Sequence, residues 1–223
     1  MQLIDFILHC NLYIGQFIQA YGNWIYPALF LIIFCETGLV FLPFLPGDSL
    51  IFAAGAFAAI GKMNFWLLLL LIIISAILGD TINYEIGKHF GRKIINNKKF
   101  KLIKEENLQK AEDLVKRYGG AAVFLARFMP IIRTIVPFVV GMGELHYPKF
   151  IKYNALGGII WVTLFLTIGY LFGNIPAVQE HFSLIIIGIV FLSLLPIFIA
   201  YAKNKLSKKI KNPTPLLQEN SQD

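Results

Sequence analysis

From Asn64 to Gly87 the chain is an almost unbroken apolar run, led by Phe65, Trp66, five leucines and three isoleucines. That is enough to cross a hydrocarbon core of ~30 Å at ~1.5 Å per residue, so the pattern predicts a membrane-spanning helix. The last third of the run and its extension carry Asp80, Tyr84, Gly87 and Gly91, spaced four, three and four, which places them on one helical face. That polar face is expected to look into a bundle and not at lipid. Phe150–Gly173 and Ser183–Tyr201 read as two further spans, separated by a turn around Asn174, Pro176 and His181 that holds no Lys or Arg.

Two other apolar stretches are broken. The first, Phe34–Ala59, is interrupted by Glu36, Pro43, Pro46, Gly47 and Asp48. Hydrocarbon offers no partner for a charge or a freed carbonyl, so this is a poor simple span. Each proline lacks a backbone donor and pushes the preceding residue out of the helical region, so Leu42–Gly47 is expected to be a non-helical elbow. The second, Gly119–Gly143, carries Arg127, Pro130, Arg133, Pro137, Gly141 and Gly143, with arginines where the first has acids. Both read as re-entrant hairpins, one over about residues 27–60 and one over about 119–143. A broken backbone survives at membrane depth only when packed in protein or lining a watery cavity.

The segments that start at Gly61 and Gly143 can be laid over each other at one constant offset. Phe65 then falls on Tyr147, Thr81 on Thr163, and GKHFG (87–91) on GYLFG (169–173). Each copy follows a broken hairpin. The expected fold is therefore an all-α, polytopic membrane protein in which two opposed re-entrant hairpins form an inverted repeat, the architecture of many secondary transporters.

Charge orients this scheme. Of twenty Lys and Arg, nine lie between Arg92 and Arg117, five lie between Lys203 and Lys211, and residues 1–61 contain none. This asymmetry places 92–118 and the tail in the cytoplasm, and it accounts for the net charge of +7 without nucleic acid. A composition 57% hydrophobic and 15% charged belongs to the membrane class. The chain reads as a single membrane-embedded domain over 1–202. A basic, then polar and disordered tail follows over 203–223. Residues 1–20 are too polar for a span and read as an interfacial helix that is not a cleaved signal. Within 92–118, Leu108, Ala111, Leu114, Val115 and Tyr118 form an apolar stripe, expected to lie on the membrane surface. Cys10 and Cys35 form no CxxC pair and no metal-ligand spacing with a histidine, so neither disulfide, metal nor cofactor is expected.

The chemistry rests on Glu36, Asp48, Arg127 and Arg133. On insertion scales each charge costs ~2.5 to 3.5 kcal/mol at the membrane centre, so four left alone would cost ~10 to 14, comparable with the whole stability of a domain. Two acids on one hairpin and two arginines on the other suggest mutual neutralisation, with partners that can be traded for substrate groups. The arginine fork matches a phosphate with two parallel hydrogen bonds, making Arg127 and Arg133 the candidate substrate-binding pair. An apolar site favours the neutral carboxyl, making Glu36 and Asp48 the candidates for proton coupling. Asp80, Tyr84, Pro43, Pro46 and Pro130 are candidates for the cavity wall. The plainer alternative is a set of packing salt bridges that bind nothing.

These residues resemble the DedA family, the bacterial branch of the SNARE-associated or VTT-domain membrane proteins. The similarity lies in Glu36 with PFLPGD (43–48), GDTINYEIG (79–87), FLARFMPIIR (124–133), GMG (141–143) and GYLFG (169–173). The resemblance implies a multi-pass protein of the bacterial cytoplasmic membrane, tied to envelope integrity and proton motive force, with members implicated in moving polyprenyl phosphate or phospholipid between leaflets. It also implies that Glu36, Asp48, Arg127 and Arg133 are required. The expected function is proton-coupled translocation of a lipid phosphate such as undecaprenyl phosphate. Its partners are then membrane lipids and protons, and a homo-oligomer is an admissible assembly. A proton-coupled cation or drug antiporter is the alternative. An enzyme is not expected, because no nucleophile and acid/base histidine set converges.

Overall fold

The computed structural model describes residues 22–39, 47–96 (without the side chains of 92 and 94–96), 105–129, 132–143, 145–176 and 178. Among these residues every regular element is a helix: α1 Ile25–Gly38, α2 Gly47–Ala59, α3 Phe65–Asn96, α4 Glu105–Tyr118, α5 Ala121–Ala126, α6 Ile132–Met142 and α7 Tyr147–Gly173. The N-terminal twenty residues, the predicted span Ser183–Tyr201 and the tail fall outside the described residues, as do Pro43, Pro46 and Pro130.

Two helices among the described residues are long and apolar enough to cross a membrane, over Phe65–Gly91 and Tyr147–Gly173. Each turns a stripe of large apolar side chains outward: Leu67, Leu70, Ile74, Leu78 and Ile82 on α3, and Leu156, Ile160, Leu164, Ile168 and Leu171 on α7. Helical spacing makes each stripe continuous, the surface expected of a helix solvated by lipid. By contrast, α1, α2 and α6 have 14, 13 and 11 residues. At ~1.5 Å per residue they are too short to cross ~30 Å of hydrocarbon.

The long helices run antiparallel. The Phe65 ring meets Tyr170 and the Tyr84 ring stacks on Phe150, so the start of each helix lies against the end of the other. Each short returning helix then packs mainly on the long helix of the opposite half, α2 on α7 and α6 on α3, while α1 lies on α3 and α5 on α7. Glycines permit these crossings. Gly87 and Gly169, which correspond in the repeat, face the carbonyls of Phe138 and Phe52, while Gly141 and Gly55 face those of Tyr84 and Leu166. A Cβ at any of the four would strike backbone. These glycine crossings therefore correspond in the two halves, on long helices that run in opposite directions. Between α3 and α7 the register is the one read from the sequence, Gly87 on Gly169 and Gly91 on Gly173. Between α2 and α6 it is slightly longer, with Phe52, Gly55 and Ala56 matching Phe138, Gly141 and Met142.

Two large apolar clusters fill most of the bundle, beside a smaller one around Ala53, Ala56 and Val178. One of the large clusters joins Leu29, Ile33, Ile51, Leu68, Ile72, Trp161 and Leu166. The other joins Tyr84, Ala122, Val123, Ile135, Val136 and Phe150. Along α3 and α7 the clusters are separated by buried polar residues, Asp80 and Asn83 on one and Asn154 on the other.

Three local differences from the sequence-based expectations have physical reasons. The elbow expected over Leu42–Gly47 ends earlier, because Gly47 already opens α2. α3 continues to Asn96, well past Gly87, since nothing in HFGRK breaks a helix. The stripe on α4 rests in part on protein, beyond what the sequence reading foresaw. Leu108, Ala111, Leu114 and Val115 pack into the second cluster, and only Tyr118 of the stripe is exposed. Glu105 and Glu106 at the start of α4 and Lys116 and Arg117 at its end complement the helix dipole, and Gly119, at φ +56°, stops it in the left-handed conformation.

Candidate functional site

The polar layer holds two ion-pair centres, each built around one arginine. Arg133 sits in the first turn of α6, an end where the helix dipole opposes a cation. Two acids of the first broken stretch, one in α1 and one in α2, offset this. Its guanidinium donates to Glu36 Oε1, near the end of α1, and at 2.7 Å to Asp48 Oδ1, in the first turn of α2. Glu36 is fully buried, whereas the Asp48 side chain is 38% exposed. One side of this centre thus opens toward the surroundings.

Arg127 follows the last residue of α5 and is buried. It donates to Asp80 Oδ2 at 2.6 Å and to Asn154 Oδ1 at 2.5 Å, and more weakly to the Ala76 carbonyl at 3.4 Å. Asn154 Nδ2 in turn donates to the Ile77 carbonyl. This centre ties α3, α5 and α7 together and is closed. The indole of Trp161 links the two centres, lying 5.8 Å from the Arg127 guanidinium and 5.2 Å from that of Arg133. Arginine over tryptophan is a favourable cation–π geometry. Asn83 completes the layer by donating to the carbonyls of Thr37 (3.1 Å) and Thr134 (2.7 Å), which fixes α1 and α6 to α3.

Thr37, Asp80, Arg127, Arg133, Thr134 and Trp161 enclose a cavity of about 10 Å³, room for roughly one water molecule. Three buried side-chain atoms have no hydrogen-bond partner among the described residues: Glu36 Oε2, Arg127 Nε and Asn83 Oδ1. Buried polar groups are ordinarily satisfied, so these atoms are positions where a further hydrogen-bond partner fits. With every group ionised, the three acids and two arginines sum to −1, and a single proton balances the layer.

The four charges singled out from the sequence therefore meet in one layer, in a different pairing from the expected one. Both hairpin acids go to Arg133, and Arg127 is neutralised by Asp80 of α3. Asp80 lines the cavity as expected. Tyr84 does not: it donates to the Leu145 carbonyl at 2.9 Å and packs against Phe150 and Tyr147, one turn too far along α3. The sequence reading missed Thr37, Asn83, Thr134, Asn154 and Trp161. Asn83 and Asn154 carried a usable signal, since an amide inside an apolar span needs a buried partner. Trp161 carried none, because a tryptophan in a span reads equally well as core or belt.

The chain matches the VTT domain over residues 45–171. It is 46% identical over 205 residues to the protein DedA of Escherichia coli strain K12, covering 91% of this chain and 94% of that protein. An uncharacterized membrane protein of Mycobacterium leprae is 37% identical, covering 78% of each chain. The inner membrane protein YqjA of Escherichia coli is 31% identical, covering 70% of this chain and 71% of its own. No solved structure matches the chain. Identity at this level across nearly the full length, together with the matched domain, makes the chain a membrane protein of the DedA family.

Proposed function

We propose that this protein is a multi-pass carrier of the bacterial cytoplasmic membrane that moves a lipid phosphate, undecaprenyl phosphate or a phospholipid, between leaflets in exchange with protons. The observation that carries the proposal is the Arg133 centre: a guanidinium fork held by two carboxylates from the opposite hairpin, one buried and one partly open. A phosphate oxygen pair can replace those carboxylates one for one. Protonation of Glu36 or Asp48 frees the fork to receive the headgroup, and deprotonation returns the carboxylate and expels it. Helices too short to span, whose ends meet in a polar layer between two long apolar helices, support hairpins that enter from opposite sides. The water-sized cavity fits an occluded state, since a phosphate needs the layer to open.

The testing experiment is uptake of labelled undecaprenyl phosphate into proteoliposomes. Transport by the wild-type protein, lost in Arg133→Ala and in Asp48→Asn, supports the reading. A wild-type protein that moves protons against small cations but no lipid phosphate would overturn it in favour of an antiporter. That second reading has one observation of its own, the excess acid in the layer.

A further inference from the structure

The Glu36 carboxylate sits in an unusual place. Its Oε1 accepts from the Arg133 guanidinium and from the backbone N–H of Gly47 at 3.3 Å, the first residue of the 13-residue helix α2. Its Oε2 is buried and has no partner among the described residues. The carboxylate fills the space that a Cβ on residue 47 would need, so only glycine permits it to approach the helix end. A backbone N–H at a helix N-terminus, beside an arginine, is the donor set that binds phosphate oxygens.

We infer that Glu36 is a tethered stand-in for the substrate anion, occupying the phosphate seat formed by Arg133 and the N-terminus of α2. This rests on the proposed carrier function and deepens it by naming the seat and what empties it. A carboxylate has two terminal oxygens, as does a phosphodiester, and a phosphate monoester has three. The unpartnered Oε2 marks the spot where a proton can arrive. Once neutral, Glu36 loses its hold on both donors, and the headgroup enters in its place. The charged groups facing it are Arg133 on α6 and Asp48 on α2, with Asp80 on α3 and Arg127 beyond α5 across the cavity. Asp48 uses the other arm of Arg133 and leaves the seat itself clear.

The test is calorimetric binding of farnesyl phosphate and of inorganic phosphate to the full chain in detergent, with farnesol as the uncharged control. Removing the competing charge in Glu36→Gln is expected to tighten farnesyl phosphate binding about tenfold, or ~1.4 kcal/mol, while translocation slows. Inorganic phosphate should shift in the same direction and farnesol should not. Unchanged or weaker binding of farnesyl phosphate by a folded Glu36→Gln protein, where wild type binds, overturns the stand-in and leaves the carrier reading intact. No phosphate binding to either protein overturns both. Glu36→Ala, which empties the space completely, is the second variant. Should neither fold, the wild type decides alone. A farnesyl methyl phosphodiester, which has no titrating proton near neutrality, is expected to bind with proton uptake, read from the dependence of the binding heat on the buffer. No uptake overturns the inference.

Discussion

The Arg127 and Arg133 centres use the same chemistry to different ends. Arg127 is almost wholly buried, with one acid, one amide and a backbone carbonyl from the two long helices around it. Arg133 is shared between two acids of a single hairpin, and one of these is more than a third exposed. A buried pair with further hydrogen bonds resists exchange, because separating it strands a charge without solvent. A pair with one open partner can be rearranged at far lower cost. Under the proposed carrier function, the contrast gives Arg127 the part of holding the bundle together and Arg133 that of trading partners, although the two arginines look equivalent in the sequence.

The largest test of this contrast is Asp80→Ala, which leaves Arg127 buried and alone. It is expected to destabilise the protein by ~3 to 5 kcal/mol, seen as a large loss of thermal stability in detergent. A small loss would mean that Arg127 is hydrated and not structural. Next come Gly87→Ala and Gly169→Ala, equivalent positions in the two halves. Each forces backbone apart at a helix crossing, for ~1 to 3 kcal/mol. Similar losses in the two melting curves would support the repeat, and a loss in one alone would break it. Arg133→Lys keeps the charge and loses the fork. Its expected effect is at least a tenfold fall in lipid phosphate transport, ~1.4 kcal/mol, with a nearly unchanged melting temperature. Full transport in that variant would count against a fork-held phosphate. The smallest effect on stability is expected for Asp48→Asn, within ~1 kcal/mol, because a partly exposed ion pair contributes little to folding.

The sequence revealed the elements better than their partners. Two long apolar runs, two proline-broken stretches and the constant offset that lays Gly61 on Gly143 could be read directly, because each follows from local composition and spacing. The pairing of Arg127 with Asp80 could not, since they lie 47 residues apart and nothing local distinguishes Asp80 from the hairpin acids. Tyr84 shares a helical face with Asp80 yet points into a different cluster. A face runs the full length of a helix, whereas a cavity occupies one turn of it. The stripe on α4 shows the same limit: amphipathic spacing declares that a face is covered, not by what.

The two registers of the repeat differ by about one helical turn, ~4 residues. α2 absorbs most of that difference, extending to Ala59 where the end of α6 at Met142 corresponds to Ala56. A strictly duplicated pair of halves would make the inward-facing and outward-facing forms mirror images in energy. Here the extra turn lengthens one arm only. For the carrier proposed above, the two forms are then unequal in energy, and one side of the membrane is the resting side.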